Sequence, residues 1–169
     1  MKVLRFLMLS ALLSFVTKLG ADTLKVGDPA PVLSGKTDDG STLNLGDVYK
    51  QNNYTLVWFY PKALTGGCTK QGCSLRDASD ELKKKGVAVV GVSTDPVDKQ
   101  KEFKEVNHFP FPLIADTDKA VIKAFGQSGT LGFASREAYL VDRNGKIVYH
   151  DEKQTDKQAE KVLEFLNKK

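Results

Sequence analysis

The sequence predicts an α/β sandwich: a mixed central sheet flanked by helices, with a hairpin near the N-terminus. Three observations lead there. Short apolar runs alternate with segments of helical periodicity, Asp-Gly and Asn-Gly turn signals stand early and late in the chain, and an amphipathic helix closes it. Residues 22–169 suit one domain with a sizeable core.

Taken in order, Asp38-Asp39-Gly40 marks the turn of the early hairpin. Tyr54-Thr55-Leu56-Val57-Trp58-Phe59-Tyr60 is a nearly continuous apolar run, as in a strand covered on both faces, and Pro61 ends it. Trp58 belongs to the core. Cys68, Gly72, Leu75, Ser79 and Leu82 then recur at helical spacing, with Lys83 to Lys85 in a last turn and Gly86 as the stop. Val87 to Val92 reads as a second buried strand. Asp95-Pro96 opens the next helix, Asp95 as cap and Pro96 in the first turn, running to about Asn107. A shorter helix covers Asp118 to Phe125 and stops at Gly126. Residues 127–135 form a loop leading to Arg136, either a wall of a pocket or a plain connection. Asn144-Gly145 turns a second hairpin between Tyr139-Leu140-Val141 and Ile147-Val148-Tyr149. The last helix carries Ala159, Val162, Leu163 and Leu166 on one stripe, with Thr155 and Gln158 placed as a capping box.

Residues 1–21 have the layout of a secretory signal: Lys2 and Arg5, an apolar stretch from Phe6 to Val16, and a small residue, Ala21, before the expected cut. The expected mature chain is residues 22–169, exported to the periplasm or another extracytoplasmic space. The apolar stretch is shorter than the roughly 20 residues of a membrane span, so no stable membrane anchoring is expected. The formal charge of +4 mostly leaves with Lys2, Arg5 and Lys18, and no basic stripe argues for nucleic acid.

The chain has two cysteines, Cys68 and Cys73, with four residues between them. A disulfide closing so small a loop contributes only about 2 kcal/mol, which makes a poor staple. Neither His108 nor His150 has the spacing to complete a zinc site with them. Redox chemistry explains the pair better. Cys68 lies in the first turn of its helix on the inward stripe, where unpaired N–H groups and the macrodipole favour an anion, and the thiolate is the reactive form of a cysteine. Cys73 lies about 140° further round. Read without further context, Thr65 would serve as a helix cap and Arg136 as a solvated charge beside Glu137.

With these residues in view the chain resembles the peroxiredoxins, and among them the peroxiredoxin Q or bacterioferritin-comigratory-protein group. The family's Pro-x-x-x-Thr-x-x-Cys signature is matched by Pro61, Thr65 and Cys68, and the subgroup's second cysteine by Cys73. Val26-Gly27-Asp28-Pro29-Ala30-Pro31, Leu75-Arg76-Asp77, Phe109-Pro110-Phe111-Pro112-Leu113 and Arg136-Glu137-Ala138-Tyr139-Leu140-Val141-Asp142 also look like family segments. Gly66 departs from the pattern, replacing a usual proline.

The resemblance implies a thioredoxin-like fold and a thiol peroxidase. Cys68 would attack hydrogen peroxide or an organic hydroperoxide and become a sulfenic acid, and Cys73 would condense with it to a disulfide. A thioredoxin-like protein would reduce that bond. Thr65 corresponds to the threonine that orients the peroxide, Pro61 to the proline that shields the pocket, and Arg136 to the arginine beside the thiolate. No metal, haem or flavin is implied, and a monomer is expected. On an intact helix the two Cα atoms stand roughly 8.7 Å apart, beyond the approximately 7 Å a disulfide spans without backbone movement, so forming the bond would unwind the helix start. The alternative is a thiol-disulfide oxidoreductase acting on protein substrates, although its usual pair has two intervening residues rather than four.

Overall fold

The computed structural model describes residues 23–127 and 132–169; the expected leader and the middle of the 127–135 loop lie outside them. Two short strands, β1 (Ser34–Lys36) and β2 (Thr42–Asn44), pair antiparallel around the Asp39-Gly40 turn as the early hairpin. The main sheet has five strands in the order β5-β4-β3-β6-β7: β3 (Tyr54–Phe59), β4 (Val87–Ser93), β5 (Leu113–Ala115), β6 (Glu137–Asp142) and β7 (Ile147–Glu152). Pairs β3–β4 and β4–β5 are parallel, β3–β6 and β6–β7 antiparallel, so the sheet is mixed as predicted.

Side chains of β3 divide between the two faces with the strand's period of two. Leu56 and Trp58 enter a core shared with Leu75, Leu82, Phe103 and Val162, whereas Val57 and Phe59 face Leu45, Tyr49, Val121 and Phe125. On the first face lie helices α2 (Gly66–Asp77), α3 (Ser79–Lys84), α4 (Val97–Asn107) and α6 (Gln158–Asn167). On the second lie α1 (Leu45–Gln51) and α5 (Ala120–Ala124). Burial on both faces explains why the β3 and β4 sequences read as apolar runs rather than alternating ones. Trp58 is fully buried and stacks on Tyr60.

Four expectations need correction. The helix read from Cys68 to Lys85 breaks at Ala78, whose φ/ψ of −96°/7° divides it into α2 and α3. Asp95 does not cap α4: Pro96 holds the N-cap position, and the Asp95 carboxylate instead accepts hydrogen bonds from Ala63 N–H and Ser93 Oγ. The short helix begins at Ala120 rather than Asp118: Asp118 Oδ1 accepts from the Ala120 N–H, and the buried Asp116 carboxylate takes the N–H groups of Val121 and Ile122. Thr155 and Gln158 form no capping box, because Lys157 is the N-cap of α6 and Gln158 points into the interior.

Candidate active site

Strand β3 runs straight into the site. Its end is anchored by buried Tyr60, whose hydroxyl donates to Gln100 Oε1; Gln100 Nε2 in turn donates to Ser93 Oγ, 2.8 Å away. Ser93 and Asp95 continue the chain to Ala63 N–H at 2.8 Å, so the turn that follows Pro61 is tied to the end of β4. Within that turn Leu64 has φ of 61°, a left-handed conformation that costs a non-glycine residue about 1–3 kcal/mol. The consequence is a sharp entry into α2.

Thr65 occupies the N-cap position of α2 in extended conformation, yet its side chain caps nothing. Its hydroxyl donates instead to Lys62 O at 2.9 Å, leaving the oxygen lone pairs for another donor. Cys68 sits in the first turn, 1% exposed, with its sulfur free. Arg136, half-buried just before β6, turns away from Glu137 and toward this sulfur: Nη2 lies 3.4 Å from Cys68 Sγ, and Nη1 donates to Gln71 Oε1 at 2.7 Å. A Cβ on Gly67 would come within 3.0 Å of Arg136 Nη2, so the guanidinium lies against bare backbone. Beside Arg136 opens a cavity of about 430 Å³ lined by Pro61, Phe133, Ala134, Ser135 and Lys153 among others; the described end of the 127–135 loop therefore walls it.

The structure thus brings Pro61, Cys68 and Arg136 to one corner, with Thr65 at the head of the same helix. Cys73 is apart from that corner. It lies further along α2, partly buried, its sulfur 3.9 Å from Asn107 Oδ1 at the end of α4, and it is also free. Because α2 is continuous from Gly66 to Asp77, both cysteines stand on intact helix.

Two site residues escaped the reading of the sequence. Gln71 is fully buried, three residues after Cys68, and Gln158 is fully buried at the start of α6. Polar side chains on the inward stripe of a helix are the signal that could have found them, since a buried amide requires partners. On the far side of β6, Glu137 is buried with His150, Tyr139 and Gln127 around its carboxylate. Burial alone would raise its pKa, but the hydrogen bonds from His150, Tyr139 and Gln127 outweigh it and hold the carboxyl below its ordinary value.

A buried thiol at a helix start, with a clamped arginine over it and a cavity opening alongside, defines a thiol-based redox enzyme on a thioredoxin-like frame. Comparison with known proteins agrees. Residues 26–150 match the AhpC/TSA family. The chain is 42% identical to peroxiredoxin Bcp of Escherichia coli (strain K12) over 151 residues, covering 85% of this chain and 96% of the relative. It is 34% identical to the chloroplastic peroxiredoxin Q of Suaeda salsa, covering 83% and 66%. The crystal structure of peroxidoxin BcpB from Mycobacterium tuberculosis superposes with a TM-score of 0.80 at 32% identity, covering 86% of this chain and 97% of that one. This chain belongs to the AhpC/TSA family and, within it, to the Bcp/peroxiredoxin Q group of peroxiredoxins. It is a thiol peroxidase.

Proposed function

We propose that the enzyme reduces hydrogen peroxide and organic hydroperoxides at Cys68 and passes the oxidation to Cys73. The observation that carries this reading is the Arg136 guanidinium, fixed by Gln71 and standing 3.4 Å from the sulfur. The Cys68 thiolate attacks the terminal peroxide oxygen. The O–O bond breaks, the departing oxygen takes a proton and leaves as water or alcohol, and Cys68 becomes a sulfenic acid. Arg136 faces the oxygen on which negative charge grows, where a preorganised donor contributes most. Thr65 Oγ, its proton committed to Lys62 O, presents an acceptor to the peroxide hydrogen. Pro61 and Phe133 give the neighbouring cavity an apolar wall that an alkyl group can occupy.

In the second step Cys73 sulfur attacks the sulfenic sulfur, expelling water and forming the Cys68–Cys73 disulfide. The intact helix holds the two Cα atoms roughly 8.7 Å apart, so the first turns of α2 must open. A thioredoxin-like dithiol protein then returns both cysteines to thiols by exchange. The protein acts as a monomer, exported with removal of residues 1–21 and free of the membrane; no helix among the described residues is long and apolar enough to cross one.

Peroxide-driven oxidation of thioredoxin by wild type, Cys68→Ser and Cys73→Ser tests the assignment. Cys68→Ser is expected to be inert and Cys73→Ser to stop at the sulfenic acid. Equal reactivity of the two variants toward peroxide, with sulfenic acid formed in both or in neither, would refute it. The mass of the mature protein recovered from the extracytoplasmic fraction tests export, and an uncleaved chain retained in the cytoplasm would contradict it.

A further inference from the structure

Arg136 is the visible end of a buried chain of hydrogen bonds. Its Nη1 donates to Gln71 Oε1 at 2.7 Å; Gln71 Nε2 donates to Gln158 Oε1 at 3.1 Å; Gln158 Nε2 donates to both Asp151 carboxylate oxygens, at 3.0 and 2.8 Å; and Tyr149 Oη donates to Asp151 Oδ2 at 2.8 Å. The two amides are fully buried. A guanidinium can only donate and a carboxylate can only accept. With Arg136 at one end and Asp151 at the other, each amide has one permitted orientation: oxygen toward Arg136, nitrogen toward Asp151. Flipping either would set donor against donor or acceptor against acceptor at an amide that is fully buried.

We infer that Asp151 and Gln158 are positioning residues for the peroxidase reaction: through Gln71 they fix the direction in which Arg136 presents its guanidinium to Cys68. The inference rests on the reading of Cys68 as the reacting sulfur and Arg136 as its partner. The chain also crosses from α2 to α6, joining the helix that must open to the helix that closes the fold. Gln71 lies between Cys68 and Cys73, so opening the start of α2 breaks the Gln71 links to Arg136 and Gln158 together. The same bonds that orient the arginine for the first step therefore hold the helix closed against the second.

The polarity of the chain supplies the test. Gln158→Glu keeps the acceptor toward Gln71 but sets a carboxylate against the Asp151 carboxylate. Combining Gln158→Glu with Asp151→Asn exchanges the two groups, so that an amide at position 151 donates to the carboxylate at position 158, which still accepts from Gln71. Gln158→Leu removes the link at similar volume. Val162→Ala loosens the packing of the same helix without touching the chain.

Single-turnover oxidation of each reduced protein by hydrogen peroxide, quenched and read by mass spectrometry, gives the rate of the first step. Gln158→Glu and Gln158→Leu are expected to slow it about tenfold, less than the roughly 100-fold of a full 1 Å misplacement because Gln71 still holds Arg136. The Asp151→Asn/Gln158→Glu pair should recover to within about threefold of wild type. Val162→Ala should leave the rate unchanged while lowering the melting temperature. Once Cys68 is oxidised, Gln158→Leu should form the disulfide faster than wild type.

Wild-type rates in both single Gln158 variants would overturn the inference, as would a pair no faster than Gln158→Glu, or a Val162→Ala protein slowed as much as Gln158→Leu. Cys68→Ser, run alongside, separates this from failure of the underlying reading: if it still consumes peroxide, the assignment of Cys68 itself is wrong.

Discussion

Arg136 makes two bonds through its guanidinium, and their geometry sets what each substitution nearby should do. Nη1 is committed to Gln71, which leaves Nη2 aimed at the sulfur. Arg136→Met keeps the stem and removes the donor pair, and should slow Cys68 oxidation by peroxide roughly 100-fold, the range for loss of one preorganised donor. Stopped-flow oxidation of the reduced protein measures it. Gly67→Ala should slow the same step less, because the new methyl meets the far end of a flexible side chain at 3.0 Å rather than backbone. At this scale the sequence was legible in part. Cys68, Thr65 and Pro61 could be placed from their spacing and their match to a family motif. The closeness of Arg136 to Cys68, 68 residues apart in the chain, rested on resemblance until the fold brought β6 beside α2. The roles of Gln71, Gln158 and Asp95 are not legible in the sequence, because the value of a buried polar group lies in its partner and that partner is distant in sequence.

The element that carries the mechanism is α2, and its first residue invites a test. Gly66 replaces the proline usual in the group, a Cβ there would meet nothing within 4 Å, and the residue before it, Thr65, already has the extended φ/ψ of −96°/149° that a following proline demands. Gly66→Pro should therefore stabilise the protein by about 0.4–1 kcal/mol, mainly by restricting the unfolded chain. It should also slow disulfide formation after Cys68 is oxidised, since the helix start becomes harder to unwind. Chemical denaturation and quenched-flow mass spectrometry read the two effects. A proline variant that closes the disulfide faster would contradict the view that α2 must open. The strands β3, β4, β6 and β7 and both hairpins were readable because buried strands and Asp-Gly or Asn-Gly turns leave strong local signals. Strand β5, three residues long, and the seven-residue α1 left weak ones and were missed. The caps of α4 and α6 were misread because Asp95 and Gln158 serve tertiary contacts in preference to their own helices.

Across the whole molecule the sheet separates two buried polar groups with different duties. On one side the Arg136 chain serves the sulfur; on the other the Glu137 carboxylate, held by His150, Tyr139 and Gln127, joins β6 to the edge strand β7. Because the folded state holds the Glu137 carboxyl below its ordinary value of 4.5, its contribution to stability is present above that value and is lost as pH falls through the lower folded value. Glu137→Gln should therefore be less stable than wild type at neutral pH and should lose less on acidification. Thermal melts from pH 7 downward check the sign; a variant curve parallel to wild type would contradict it. Mass spectrometry of the reduced protein after one equivalent of hydrogen peroxide tests the central claim most directly. Wild type should lose about 2 Da as the Cys68–Cys73 disulfide forms, Cys73→Ser should gain about 16 Da on Cys68, and Cys68→Ser should not change. Oxygen added first to Cys73, or a disulfide formed without peroxide, would contradict the account.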